Sequence, residues 1–144
     1  MNKYFYPIYK MKLKPWIKYW LLKKLKPENL IEKDNWELGS ISGSGATLGE
    51  NTSATNRIRN IKHIAVKPNT TYELSLVGDY PTSDSNVAFV FEYNSEKIGT
   101  KRIPSTWTQT PFTFTTQETT YFVRIVFSTS DLSLGQYAEL KEVK

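Results

Sequence analysis

Residues 120–128, TYFVRIVFS, decide the fold. Tyr121, Val123, Ile125 and Phe127 face one way, while Phe122, Arg124 and Val126 face the other, because side chains alternate across a β-strand. The same period of two runs outward from this stretch. In TYELSLVG (71–78), Tyr72, Leu74 and Leu76 oppose Thr71, Glu73 and Ser75. In VAFVFEYN (87–94), Val87, Phe89, Phe91 and Tyr93 share a side, and NSEK (94–97) supplies the turn that follows. PFTFTT (111–116) sets Phe112 and Phe114 against threonines. With RIRNIKHIAV (57–66) and QYAELKEV (136–143) these segments make about six or seven strands, and a further short one is expected near Leu30 or Trp36. Aromatic and β-branched enrichment with regularly spaced turn signals predicts an all-β, antiparallel two-sheet β-sandwich. Two stretches read as loops: LGSISGSGATLGENTSATN (38–56) and GDYPTSDSN (78–86). The first, at 19 residues, is long for an inert connection.

The chain has 144 residues, 39% hydrophobic and 14% aromatic, enough for one packed domain with a short appendage. It contains no cysteine, which excludes a disulfide scaffold and thiol catalysis. The net charge of +5 hides a partition. Residues 1–26 hold eight lysines and no acid, so the remainder carries 19 − 8 = 11 basic against 14 acidic residues, a net of −3.

The basic segment, residues 1–27, is an arm of different character. Its apolar run YWLL (19–22) is hemmed in by lysines, and no Gly, Ala, Ser or Thr precedes Glu28. A secretory leader needs a longer apolar run and a small-residue cleavage site, and a spanning helix needs about 20 apolar residues. The arm is therefore expected to be retained and not to cross a membrane. Tyr9, Met11 and Leu13 alternate with Lys10, Lys12 and Lys14 as in an extended segment. Pro15 and Pro27 then bracket a short helix of about 11 residues, with Pro15 near its start and Pro27 beyond its end. Trp16, Ile17, Trp20, Leu21 and Leu25 share one side of it, with Lys18, Lys23 and Lys24 largely on the other. Such a helix is marginal alone and must pack on something. It can dock on its own domain, lie in a lipid interface, or embed its aromatic face in a protein assembly. The last is the preferred reading, with the lysines meeting acidic partner surface. Specific nucleic-acid binding lacks a recognition motif.

The order of NLIEKDNWELGSISGSG (29–45), RIRNIKHIAVKPNTTYELSL (57–76), WTQTPFTFTTQETTYFVRIVF (107–127) and GQYAELKEV (135–143) resembles one family. It is similar to the carbohydrate-binding-module-like, galactose-binding-type jelly-roll domain of structural and tail proteins from bacteriophages of Gram-positive hosts. The resemblance spans residues 28–144. It implies a two-sheet jelly roll, no catalysis, no cofactor, and a role in virion structure or host-surface binding. The expected function is thus a non-enzymatic virion protein. Its arm, residues 1–27, would bind other virion proteins, in several copies per particle, and its body would be displayed outward. The alternative is a glycan-binding module for attachment to the host cell wall.

Sugar sites use aromatic platforms flanked by polar side chains. The glycan candidates are Trp36, Tyr80 and Tyr137, with Arg57 and Arg59 as cations on one face of a strand, able to clasp an acidic sugar or a phosphate. Trp36 is also a natural core residue, and Trp107 reads as a packing residue. The competing reading pairs the arginines, with Arg124, to Glu73, Glu92 or Glu139 on a solvated face. His63 stands without a motif around it. No metal site is expected; Glu32 and Asp34 match no calcium loop.

Overall fold

The computed structural model describes residues 14–17, 28–81 and 86–144. The body is an antiparallel β-sandwich, as its alternating sequence predicts. Its strands in chain order are β1 (Trp36–Leu38), β2 (Ser40–Ile41), β3 (Asn51–Thr52), β4 (Ile58–Asn60) and β5 (Ile64–Ala65). They continue as β6 (Thr71–Leu76), β7 (Val87–Tyr93), β8 (Gly99–Gln109), β9 (Phe112–Thr115), β10 (Phe122–Phe127) and β11 (Ala138–Glu142). One sheet runs β1-β4-β10-β7-β8 with β5 also paired to β10, the second runs β11-β6-β9, and β2 and β3 form a hairpin of their own. The chain crosses between the sheets after β5, β6, β8, β9 and β10, which is jelly-roll behaviour.

The main core lies between the sheets. Ile58, Ala88, Val90, Val123, Ile125 and Phe127 come from the larger sheet, facing Tyr72, Leu74, Phe114 and Leu140 of the smaller one. Tyr72 pairs with Phe114 and Leu74 with Leu140, so the smaller sheet presents one apolar stripe inward. Its outer stripe carries Glu73, Glu139 and Lys141, with Lys141 and Glu139 2.9 Å apart.

The larger sheet is buried on both faces. Phe89, Phe91, Tyr93 and Val126 point away from the main core, yet they are buried in a second cluster with Ile41. Their cover is the 38–56 segment, which the sequence reads as a loop. It folds instead into the β2–β3 hairpin, a short 3-10 turn (Gly45–Thr47) and the closing bonds Ser42 N to Glu50 O (2.8 Å) and Gly49 N to Ser42 O (2.9 Å). Tyr93 Oη donates to Gly49 O at 2.7 Å, and Arg124 Nη1 donates to Asn51 Oδ1 at 2.6 Å. The crossing needs glycine: a Cβ on Gly99 would stand 2.8 Å from the Cα of Gly49, whose own φ is +88°.

RIRNIKHIAV is also broken, into β4 and β5 with a bend at residues 61–62. The fully buried Asn60 bridges the break. Its Oδ1 accepts from Ile125 N at 2.6 Å and its Nδ2 donates to Lys62 O at 2.5 Å. The hairpin at Asn94–Lys97 forms where expected, with Asn94 Oδ1 accepting from Glu96 N and Ile98 N.

In the arm, residues 15–17 are helical, Ile17 N donates to Lys14 O at 3.0 Å, and Trp16 is 67% exposed. The expectations for Tyr9, Met11, Leu13, Lys18, Trp20, Leu21, Lys23 and Lys24 lie outside the described residues. Among the described residues, no helix is long and apolar enough to cross a membrane.

Candidate functional site

The outer face of the larger sheet holds a groove of about 400 Å³ beside the hairpin. That lies within the range of small-molecule sites, about 300–1,000 Å³. Its floor is aromatic: Phe89 and Phe91 of β7 and Trp107 of β8. Phe89 and Trp107 pack with ring centroids 4.1 Å apart, and Phe89 meets Phe91 edge-on at 6.3 Å. Ser105 and Thr106 of β8 and Ser40 of β2 add polar groups, and Ile41 and Gly43 form the wall on the hairpin side.

Two guanidinium groups flank this floor. Arg57 lies over Trp107 at 5.0 Å, and Arg102 lies over Phe89 at 4.3 Å. A cation over an aromatic face is held by the ring quadrupole, which orients it at little entropic cost. Arg102 Nη2 donates to Ser105 O at 3.1 Å, and its guanidinium fits against Gly43, where a Cβ would come to 2.5 Å of Nη1. Among the described residues the Arg57 side chain has no hydrogen-bond or ion-pair partner, and its Nε is buried with no acceptor. Among the described residues, no carboxylate or imidazole lines the groove.

The same face carries further cations, all engaged. Arg59 Nε donates to Glu37 Oε2 at 2.7 Å, and its Nη1 donates to Ser40 O (2.7 Å) and Thr52 O (2.9 Å). Arg124 Nε and Nη2 both donate to Asn60 O, at 3.2 and 2.7 Å. Burial lowers the pKa of Arg124 and raises that of the neighbouring Tyr93 hydroxyl. His63 stands edge-on to Tyr93 at 4.5 Å. Its pKa is lowered to about 4, first by burial and then by the positive charges of Arg124 and Lys97.

The residues singled out from sequence do not converge. Arg57 is in the groove. Arg59 is locked to Glu37 and the hairpin carbonyls, so its fork is occupied. Trp36 is buried in the main core against Phe127 (5.6 Å), with Gly135 pressed on its ring, and is not an open platform. Tyr80 is half-buried against the main core, and Tyr137 is half-buried beside Gly78 at the end of the smaller sheet. The expected acidic partners are also corrected. Glu73 and Glu139 belong to the other sheet, and Glu92 points into the inner side, where its Oε1 accepts from Thr120 Oγ1 (2.5 Å) and Gln117 N (2.9 Å). The carboxylate that meets an arginine is Glu37.

Sequence reasoning missed Phe89, Phe91 and Arg102 as groove residues and preferred packing over a platform role for Trp107. One signal was available: β7 alternates aromatic residues (Phe89, Phe91, Tyr93) with aliphatic ones (Ala88, Val90), and only one set can enter a core between sheets.

Among the described residues, no three His, Cys, Asp or Glu side chains converge as a metal site. No protein-family model matches the chain, and no curated protein matches it. Among solved structures it is similar to a chain in the crystal structure of accessory secretory protein 1, 2 and 3 in Streptococcus pneumoniae. The identity is 14% and the TM-score 0.43, over 83% of this chain and 96% of that one. A likeness at that level carries no functional argument.

Proposed function

We propose that this chain is a non-enzymatic attachment protein whose β-sandwich binds a surface glycan in the outer-face groove and whose basic arm joins it to a larger assembly. The observation that carries the binding half is the groove itself. An aromatic floor of Phe89, Phe91 and Trp107 is bordered by the hydroxyls of Ser40, Ser105 and Thr106 and by two guanidinium donors. Sugars offer apolar C–H faces and hydroxyl edges, which match the half-buried Trp107 ring and the polar rim, with Phe89 and Phe91 buried beneath as support. The lining holds no acid–base pair, which suits recognition rather than hydrolysis.

The assembly half rests on charge and on the sequence resemblance. Eight lysines and no acid in residues 1–26 precede a body of net −3, and Trp16 is exposed. The assembly type the resemblance favours is a bacteriophage particle, with the host cell wall as the glycan source.

The test is co-sedimentation of the full chain with purified Gram-positive cell walls, alongside Trp107→Ala and Tyr80→Ala. Saturable binding weakened by Trp107→Ala but not by Tyr80→Ala is expected. Absence of binding by the folded wild-type chain overturns the glycan half and leaves a connector or decoration protein.

A further inference from the structure

We propose that the groove selects a carbohydrate bearing an oxyanion, a phosphate or a carboxylate, which bridges Arg57 and Arg102. The inference rests on the reading of the groove as a glycan site and adds the charge class of its ligand.

Three observations carry it. First, the cations are preorganised without being neutralised. Arg57 and Arg102 are each stacked on an aromatic ring, at 5.0 and 4.3 Å, while neither meets a carboxylate among the described residues. The other two arginines of this face are consumed: Arg59 by Glu37 and Arg124 by Asn60 and Asn51. Two guanidinium groups without a carboxylate partner among the described residues, in a body of net −3, are a local concentration of positive charge.

Second, Arg57 is under-bonded. Its buried Nε has no acceptor among the described residues. A buried donor without a partner is costly, and an arriving anion that draws the side chain to itself relieves that cost. Planar guanidinium forks match the oxygens of phosphate and carboxylate bidentately, whereas neutral hydroxyls accept single bonds.

Third, the hairpin is shaped around Arg102. Gly43 leaves room for its guanidinium, which any larger residue would displace. The two cations rest on rings that are themselves in contact, Trp107 and Phe89, so both guanidinium groups border the same groove.

The experiment is a titration of the ¹⁵N-labelled full chain, following the Arg57 Nε–H and Trp107 Nε1–H signals, with glucose, glucose 6-phosphate, glucuronate and inorganic phosphate. Because these reporters sit in the groove, binding to the lysine-rich arm does not obscure them. One or both charged sugars should bind at least about tenfold tighter than glucose. That preference should fall when salt rises from about 50 to about 200 mM, and whichever sugar responds identifies the anion. Arg57→Gln and Arg102→Gln should each reduce the preference. Gly43→Ala, which displaces Arg102 without removing a charge, should do the same.

Equal affinity for charged and neutral sugars, or a preference unmoved by all three substitutions, overturns the anion inference while leaving the glycan reading intact. Inorganic phosphate binding as tightly as the sugar phosphate removes the carbohydrate from it. Absence of a response to either charged sugar also overturns it, and cell-wall co-sedimentation then decides the glycan reading separately.

Discussion

Asn60 shows how much one side chain can organise. Fully buried, it replaces the ladder bonds that β4 loses where the chain bends: it accepts from Ile125 N, donates to Lys62 O, and its carbonyl takes two donors from Arg124. Asn60→Leu strands Ile125 N in the interior and removes the bond to Lys62 O. An unfolding free energy lower by about 2–4 kcal/mol is expected in urea titration, at unchanged secondary structure by circular dichroism. His63 supplies a pH effect. With its pKa lowered to about 4 from 6.5, the folded state prefers the neutral ring. The unfolded chain binds the extra proton first, so the contribution is full above pH 6.5 and is lost as pH falls from 6.5 to 4. The ring is half-buried, and solvent screening reduces the effect to about 1–2 kcal/mol. His63→Gln should flatten the stability profile across that window; an unchanged slope excludes this origin.

At the scale of elements, the β2–β3 hairpin is the part that turns a sheet into a site. Its inner side buries Ile41 on Phe89, Phe91 and Val126, and its outer end forms one wall of the groove. It is held by the Tyr93 hydroxyl on Gly49 O and by Arg124 on Asn51 Oδ1, and it crosses β8 where Gly99 leaves room for backbone. Tyr93→Phe removes one neutral hydrogen bond, an expected loss of about 1 kcal/mol. Gly99→Ala drives a methyl group into the Gly49 backbone, and overpacking of this kind costs about 1–3 kcal/mol. Both should raise hydrogen exchange at residues 40–52 more than in β6 or β11, and Gly99→Ala should also weaken ligand binding in the groove. Uniform exchange across the chain would show that the hairpin is not a separate unit.

For the molecule as a whole, charge divides the chain in two. Residues 28–144 carry 11 basic and 14 acidic side chains, and both apolar clusters of the described residues are built from them. On the proposed anchoring role, removal of residues 1–27 should leave a cooperatively folding, slightly acidic domain that retains the groove and no longer joins particles. Attraction through the lysines should also weaken with salt, because exposed charges are screened beyond about 8 Å at physiological ionic strength. The truncated protein joining particles as efficiently as the full chain would remove the anchoring role.

The sandwich was legible because strand alternation is local: Tyr72, Leu74, Val123, Ile125 and Phe127 announce their faces without reference to distant residues. The Asn94 turn and the charge partition of the arm are equally local properties. The groove was legible only in part. Arg57 stood out as a cation, but its partnership with Trp107, Phe89 and Arg102 joins residues from β7, β8 and the position just before β4, and no spacing rule links those segments. Nor could alternation say which face of β7 enters the main core, since both of its faces are apolar. The polar, glycine-rich 38–56 segment hid the cover over the outer face, because its role depends on Gly49 meeting Gly99 and on side chains of the strands beneath it. Sequence alone therefore determined that this chain is a β-sandwich with a basic arm. Only the tertiary structure decided which arginines are locked into the hairpin and strands and which line the groove, because that depends on contacts between residues far apart in the chain.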